Sequence, residues 1–136
     1  MKRQMIIPAS VKARQYDQMH FSPATRVGDM IWVSGQVGFD VVKGRPGEGM
    51  AEQARLAFQN LKGVLAKAGA TMADIVEIMT FHIDLHGADT HEFVKAKDEF
   101  LPDRYPSWTA VGVTQLANPA FLVEVRAIAV AGCGAD

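Results

Sequence analysis

"RYPSWTAVGVTQLANPAFLVEVRAIAV" (residues 104–130) holds two β-type runs, 108–115 and 122–130, joined by a turn. In the second run Val123, Val125, Ala127 and Ala129 fall on one face, because successive strand side chains point to opposite sides. The small alanines there let a helix approach closely. Leu122, Glu124, Arg126, Ile128 and Val130 fall on the other face, which is too apolar to be left wet and argues for self-association. Two residues in the stretch bear on function. Trp108 stands two positions after Pro106, at a strand mouth, where so large a ring either plugs a core or lines a pocket. Glu124 is a carboxylate in a run of apolar residues.

Moving outward, the spacing of Ala54, Ala57, Phe58, Leu61, Val64, Leu65 and Ala68 predicts an amphipathic helix that Gly69 stops in a left-handed conformation. "TMAD" (71–74) has capping-box spacing and predicts one helical turn before a strand. In "IVEIMTFHIDL" (75–85), Met79, Phe81, Ile83 and Leu85 alternate with Thr80, His82 and Asp84, so the apolar set is expected to be the buried face. "DTHEFVKAKDEFL" (89–101) reads as a second helix, with Asp89 and Glu92 as caps, an inner stripe of Phe93, Ala96, Phe100 and Leu101, and Pro102 as its end. "MIIPAS" is a short strand ended by Pro8, and "GDMIWVSGQVGFD" (28–40) gives two short strands interrupted at Ser34-Gly35. "VKGRPGEGM" (42–50) reads as a loop. Two helices beside about six strands predict an α+β domain over residues 1–136, with both helices on one face of a single sheet.

At 136 residues the chain can bury a core without staples. Its net charge of −1, with Lys and Arg scattered, lacks the basic stripe that nucleic-acid binding requires. No segment is apolar over the ~18 residues that span a bilayer, and the apolar run of "MKRQMIIPAS" is too short for a signal peptide. The single cysteine, Cys133, excludes an intramolecular disulfide and fits a reducing, cytoplasmic setting.

Several site types can be weighed on the residues alone. The glycines of "VSGQVG" (33–38) lack nucleotide-binding spacing and are better explained by a bulge or a close backbone approach. His82, Asp84 and His86 share one side of a strand, but an exposed polar face is commoner there than a metal site. Ser34 has no base at a spacing that would activate it as a nucleophile. Glu124 is different. A carboxylate buried in a strand is costly unless paired, and burial raises its pKa towards the range of acid–base work. Either Arg126, two residues along on the same face, neutralises it, or it is catalytic; the two are not exclusive.

"HFSPATRVGDMIWVSGQVGFD" (20–40), "MAEQARLAFQNLKGVLAKAGATMADIVEIMTFHIDL" (50–85) and "YPSWTAVGVTQLANPAFLVEVRAIAV" (105–130) together resemble the Rid family, also called YjgF or reactive intermediate deaminase and, in older usage, endoribonuclease L-PSP or translation inhibitor. The resemblance implies a chorismate-mutase-like fold assembled as a homotrimer around a central barrel, with ligand clefts between subunits. It implies hydrolysis of imines and enamines such as 2-aminoacrylate, with no metal or organic cofactor. Carried over, Gly35 in the "SGQ" turn, beside Ser34, offers a backbone amide, Glu124 manages water and Phe21 lines the cleft. The carboxylate-clamping arginine is absent. Active members read Pro-x-Arg-Ser where this chain reads Pro106-Ser107-Trp108-Thr109, so Trp108 and Thr109 are expected to line a changed pocket, with Arg126 as a partial substitute for the lost charge. Three functions follow from these readings: a hydrolase of an imine or related C–N bond in a larger or less acidic metabolite, a non-catalytic small-molecule-binding trimer, and the inherited ribonuclease.

Overall fold

The computed structural model describes residues 1–135. In chain order the elements are β1 (Gln4–Ile6), α1 (Ala9–Val11) continuing as a π-helical segment (Lys12–Gln18), β2 (Ala24–Val27), β3 (Met30–Val37), β4 (Phe39–Asp40) and β5 (Arg45–Pro46). Then come α2 (Gly49–Ala68), a 3₁₀ turn (Met72–Asp74), β6 (Ile75–His82), α3 (Thr90–Phe100), β7 (Ser107–Gly112) and β8 (Val123–Val130). Six strands form one sheet in the order β1-β2-β3-β8-β6-β7, and β4-β5 form a separate small hairpin. All pairings in the large sheet are antiparallel except β6 with β7. This is the expected α+β architecture.

The core lies between the sheet and α2. Val123, Val125, Ala127 and Ala129 are all buried, facing Ala54, Ala57, Phe58, Leu61 and Leu65. Burying side chains the size of Phe58 or Leu61 contributes roughly 1.5–3 kcal/mol each. α2 ends as expected. Gly69 adopts φ +87°, the Gly69 N–H donates to the Ala66 carbonyl, and the Ala70 N–H reaches back to Leu65 at 2.9 Å. Arg26 adds a second stop by donating to the Ala68 carbonyl at 2.6 Å. The capping box at Thr71-Asp74 also forms, with Asp74 accepting the Thr71 N–H at 3.0 Å.

Several expectations need correction. Residues 30–37 form one strand, not two, because Ser34-Gly35 is absorbed as a bulge. β2 and the helical segment over 9–18 were not anticipated, and 42–50 contains β5. Asp89 sits at the N-cap of α3, but no side chain caps that end. The runs at 107–112 and 123–130 are not neighbours; β6 lies between them. The largest reversal is on β6. Thr80 and His82 are fully buried against the helices, while Met79 and Phe81 face the other way, half-buried. Its cause is a bulge between Ile75 and Glu77, since one extra residue moves every later side chain to the opposite face.

The sheet face away from the helices carries Met30, Trp32 and Val76, each more than a third exposed, beside half-buried Met79, Phe81 and Ile128. Among the described residues no helix is long and apolar enough to cross a membrane.

Candidate functional site

The bulge on β3 organises the site. Val33 pairs with Ala127 and Gln36 with Val125, so Ser34 and Gly35 together oppose the single residue Arg126. Its neighbours hold it in place. Ser34 Oγ donates to the Ser22 carbonyl at 2.7 Å, and Gln36 Nε2 donates to the Ser34 carbonyl at 3.0 Å. On the far side, Asn60 of α2 donates to the carbonyls of Val37 (3.0 Å) and Phe39 (2.9 Å).

Gly35 has a steric reason to be glycine. A Cβ there would lie 2.6 Å from Glu124 Oε2 and 2.8 Å from Glu124 Cγ, so the carboxylate rests directly against the bulge backbone. Gly38 serves the other purpose glycine can have here, letting α2 approach: its Cβ would meet the Gln53 backbone. Gln53 is itself buried and fixes the entry to β8. Its Nε2 donates to the Ala120 carbonyl at 2.7 Å, while its Oε1 accepts the Leu122 N–H at 2.8 Å. Glu124 therefore has both its strand and its neighbour immobilised. Burial pushes its carboxyl above the usual carboxylate range. Among the described residues it forms no ion pair with Arg126.

Beside the bulge lies a cavity of about 660 Å³, walled by residues 8–21, the end of β3, α2 and the loop before β8. Phe21, Gly35 and Phe121 all line it. β2 makes this space possible by pairing with β3 only as far as Val33, leaving the strand edge beyond to the N-terminal segment.

Trp108 belongs to a different part of the molecule. Its ring packs 6.2 Å from Phe93 of α3, with the Lys97 ammonium 5.0 Å above it, and its Nε1–H donates to Thr80 Oγ1 at 2.9 Å. Thr80 Oγ1 is also 2.8 Å from His82 Nε2, which completes a chain from the sheet edge into the core. Among the described residues His82 Nδ1 has no hydrogen-bond partner, and burial holds the imidazole pKa below its ordinary value. Asp84 and His86 lie beyond the end of β6 and do not share a strand face with it.

A family model described as Endoribonuclease L-PSP matches residues 12–131. The chain belongs to the Rid (YjgF) family. It is 40% identical over 127 residues to the RutC family protein YjgH of Escherichia coli (strain K12), covering 93% of this chain and 95% of that one. A solved structure titled Protein YJGH superposes with a TM-score of 0.84 at 39% identity, covering 96% of this chain and 98% of its own. A 2-iminobutanoate/2-iminopropanoate deaminase of Dermatophagoides farinae is 32% identical over 111 residues, 81% of this chain and 84% of that one.

For this Rid-family chain, the fold brings together Phe21, Ser34, Gly35, Glu124 and Arg126 around one bulge. It does not bring Trp108 and Thr109 to them. β7 is three strands from β3, roughly 14 Å at the usual strand spacing. Residue reading missed Gln53 and Asn60, although a Gln and an Asn flanking the apolar stripe of a predicted helix are a usable signal for anchoring a neighbouring loop.

Proposed function

We propose that this chain hydrolyses an imine or enamine, with Glu124 as the group that manages water. The observation that carries this reading is the Glu124 carboxylate seated against the Gly35 backbone, with its pKa raised by burial and, among the described residues, no ion pair. Water adds to the imine carbon as Glu124 takes one of its protons. That proton passes to nitrogen to give a carbinolamine; the new hydroxyl then gives up its proton as the amine gains one, so ammonia leaves and a carbonyl remains. A carboxyl raised from its ordinary pKa suits both halves, because it is a stronger base towards water and its protonated form lies nearer to the operating pH. Deaminase names among the relatives support the same chemistry.

The chain works as a homotrimer, its exposed Met30, Trp32 and Val76 face covered by copies of itself. A neighbouring copy then supplies the β7 edge, with Trp108 and Thr109, to the cleft holding Phe21, Gly35 and Glu124. Light scattering should give about three times the 14.8 kDa chain mass. The near-neutral charge argues against a ribonuclease role.

Glu124→Gln tests the chemistry. On imines released by an amino-acid oxidase with catalase present, the variant should lose about 10²-fold or more of the acceleration over spontaneous hydrolysis while keeping its assembly. Unchanged turnover would remove Glu124 from the mechanism.

A further inference from the structure

The Trp108 N–H is already committed to Thr80, and the position a clamping arginine would occupy is indole, so an anionic ligand needs its cation elsewhere. A guanidinium is available on the cavity wall. The π-helical segment places Arg14 with its guanidinium carbon 4.4 Å from the centroid of the Phe39 ring. Asn60 holds the backbone of Phe39 through its carbonyl at 2.9 Å. Among the described residues Arg14 has no acidic partner, and no hydrogen bond engages its side chain. A guanidinium stacked on a ring keeps its N–H fork in the plane, free to take a carboxylate by two parallel hydrogen bonds.

The adjoining cavity fits what such an anchor would hold. Its volume of about 660 Å³ is far more than a three-carbon imino acid needs, and Val11, Met19, Phe21, Val41 and Phe121 give it apolar walls. Gly35, against which Glu124 rests, lines the same cavity. Arg14 and Phe39 line the cavity directly, whereas Glu124 is not among its lining residues and meets it only across Gly35. The anion anchor and the water-handling carboxylate are therefore at separate places. In a 2-imino acid the carboxylate is bonded to the reacting carbon and does not bridge such a gap.

We infer that this cavity binds an elongated apolar imine or enamine whose carboxylate lies several bonds from the reacting carbon, with Arg14 as the anion anchor. This rests on the deaminase reading for the reaction, but the binding stands separately and is tested without turnover. The probes are 3-(4-acetylphenyl)propanoate, a ketone of the product class with a remote carboxylate, its uncharged amide, and phenylpyruvate, whose carboxylate adjoins the carbonyl. Calorimetry on the intact assembly should find the propanoate bound at least tenfold more tightly than its amide. Arg14→Gln should erase that difference while leaving amide binding and the thermal midpoint unchanged, and Arg14→Lys should keep part of it. Unchanged propanoate affinity in Arg14→Gln overturns the inference. So does a preference for phenylpyruvate that is lost in Lys97→Met, because the anion would then sit by Trp108. Should Glu124→Gln keep full turnover while the Arg14 dependence holds, the deaminase reading fails and the binding site remains. Rapid turnover of small 2-imino acids with no Arg14 dependence in any binding assay gives the converse.

Discussion

Replacing Gly35 with alanine adds one methyl group at a point where the three nearest atoms all belong to the Glu124 side chain. Gly35 is not among the glycines with positive φ, so its backbone accepts alanine without strain and the whole penalty passes through Glu124. Overpacking of this kind costs about 1–3 kcal/mol. Alanine also restricts the unfolded chain, which returns about 0.4–1 kcal/mol. The net loss is roughly 1–2 kcal/mol, and for a chain of this length the thermal midpoint falls by about 3–10 °C. With Glu124 truncated to alanine the obstruction is gone, and the same substitution should be neutral or stabilising by up to about 1 kcal/mol. The assay is a double-mutant cycle by thermal and urea denaturation of the four proteins at one fixed concentration, since assembly makes the midpoint concentration-dependent. A coupling of about 1–3 kcal/mol is expected. Equal costs of Gly35→Ala in both backgrounds would refute the contact as the reason for glycine.

Glu124→Gln should melt above wild type at pH 7.5. The native pKa lies above the ordinary 4.5, so the stabilising effect of the neutral form is present below 4.5 and lost as pH rises through the native value; differential scanning calorimetry should show the gap closing towards pH 4. A large fall in midpoint instead, on the order of 3–5 kcal/mol, would mean that a buried Arg126 had lost its partner. Thr80→Val keeps the shape but leaves the Trp108 N–H and His82 Nε2 without their shared partner, at about 1–3 kcal/mol by urea denaturation; a neutral result would dismiss that buried chain as incidental. Trp108→Arg should raise activity on 2-aminoacrylate-type imines, followed by ammonia release, and parity between wild type and an arginine-bearing relative on that substrate would show that another cation already does the clamping.

The parts of the fold legible in the sequence are those where local pattern and tertiary environment agree. α2 shows its stripe at steps of three and four, and Gly69 its left-handed stop, because nothing outside the helix changes either. Strand alternation alone puts Glu124 opposite the alanine face of β8. On β6, alternation gives two faces without saying which is inside. The bulge at Val76 and the mutual hydrogen bonding of Thr80, His82 and Trp108 make the polar set the buried one. The contact between Gly35 and Glu124 joins residues 89 positions apart through strand register, which no window along the chain contains. The helical segment over 9–18 has only a short run of ordinary helix formers after Pro8 to announce it.

Strand order also constrains how the molecule comes into being. β8 is the last strand among the described residues, yet it sits inside the sheet, with β3 on one side and β6 on the other. Until it emerges from the ribosome, β1–β3 and β6–β7 are two half-sheets with open edges, and α2 has no alanine floor to settle on. The core of the nascent chain therefore closes only after residue 130 has cleared the exit tunnel. That interval exposes two unpaired strand edges at once, a state prone to pairing with other chains and open to chaperones.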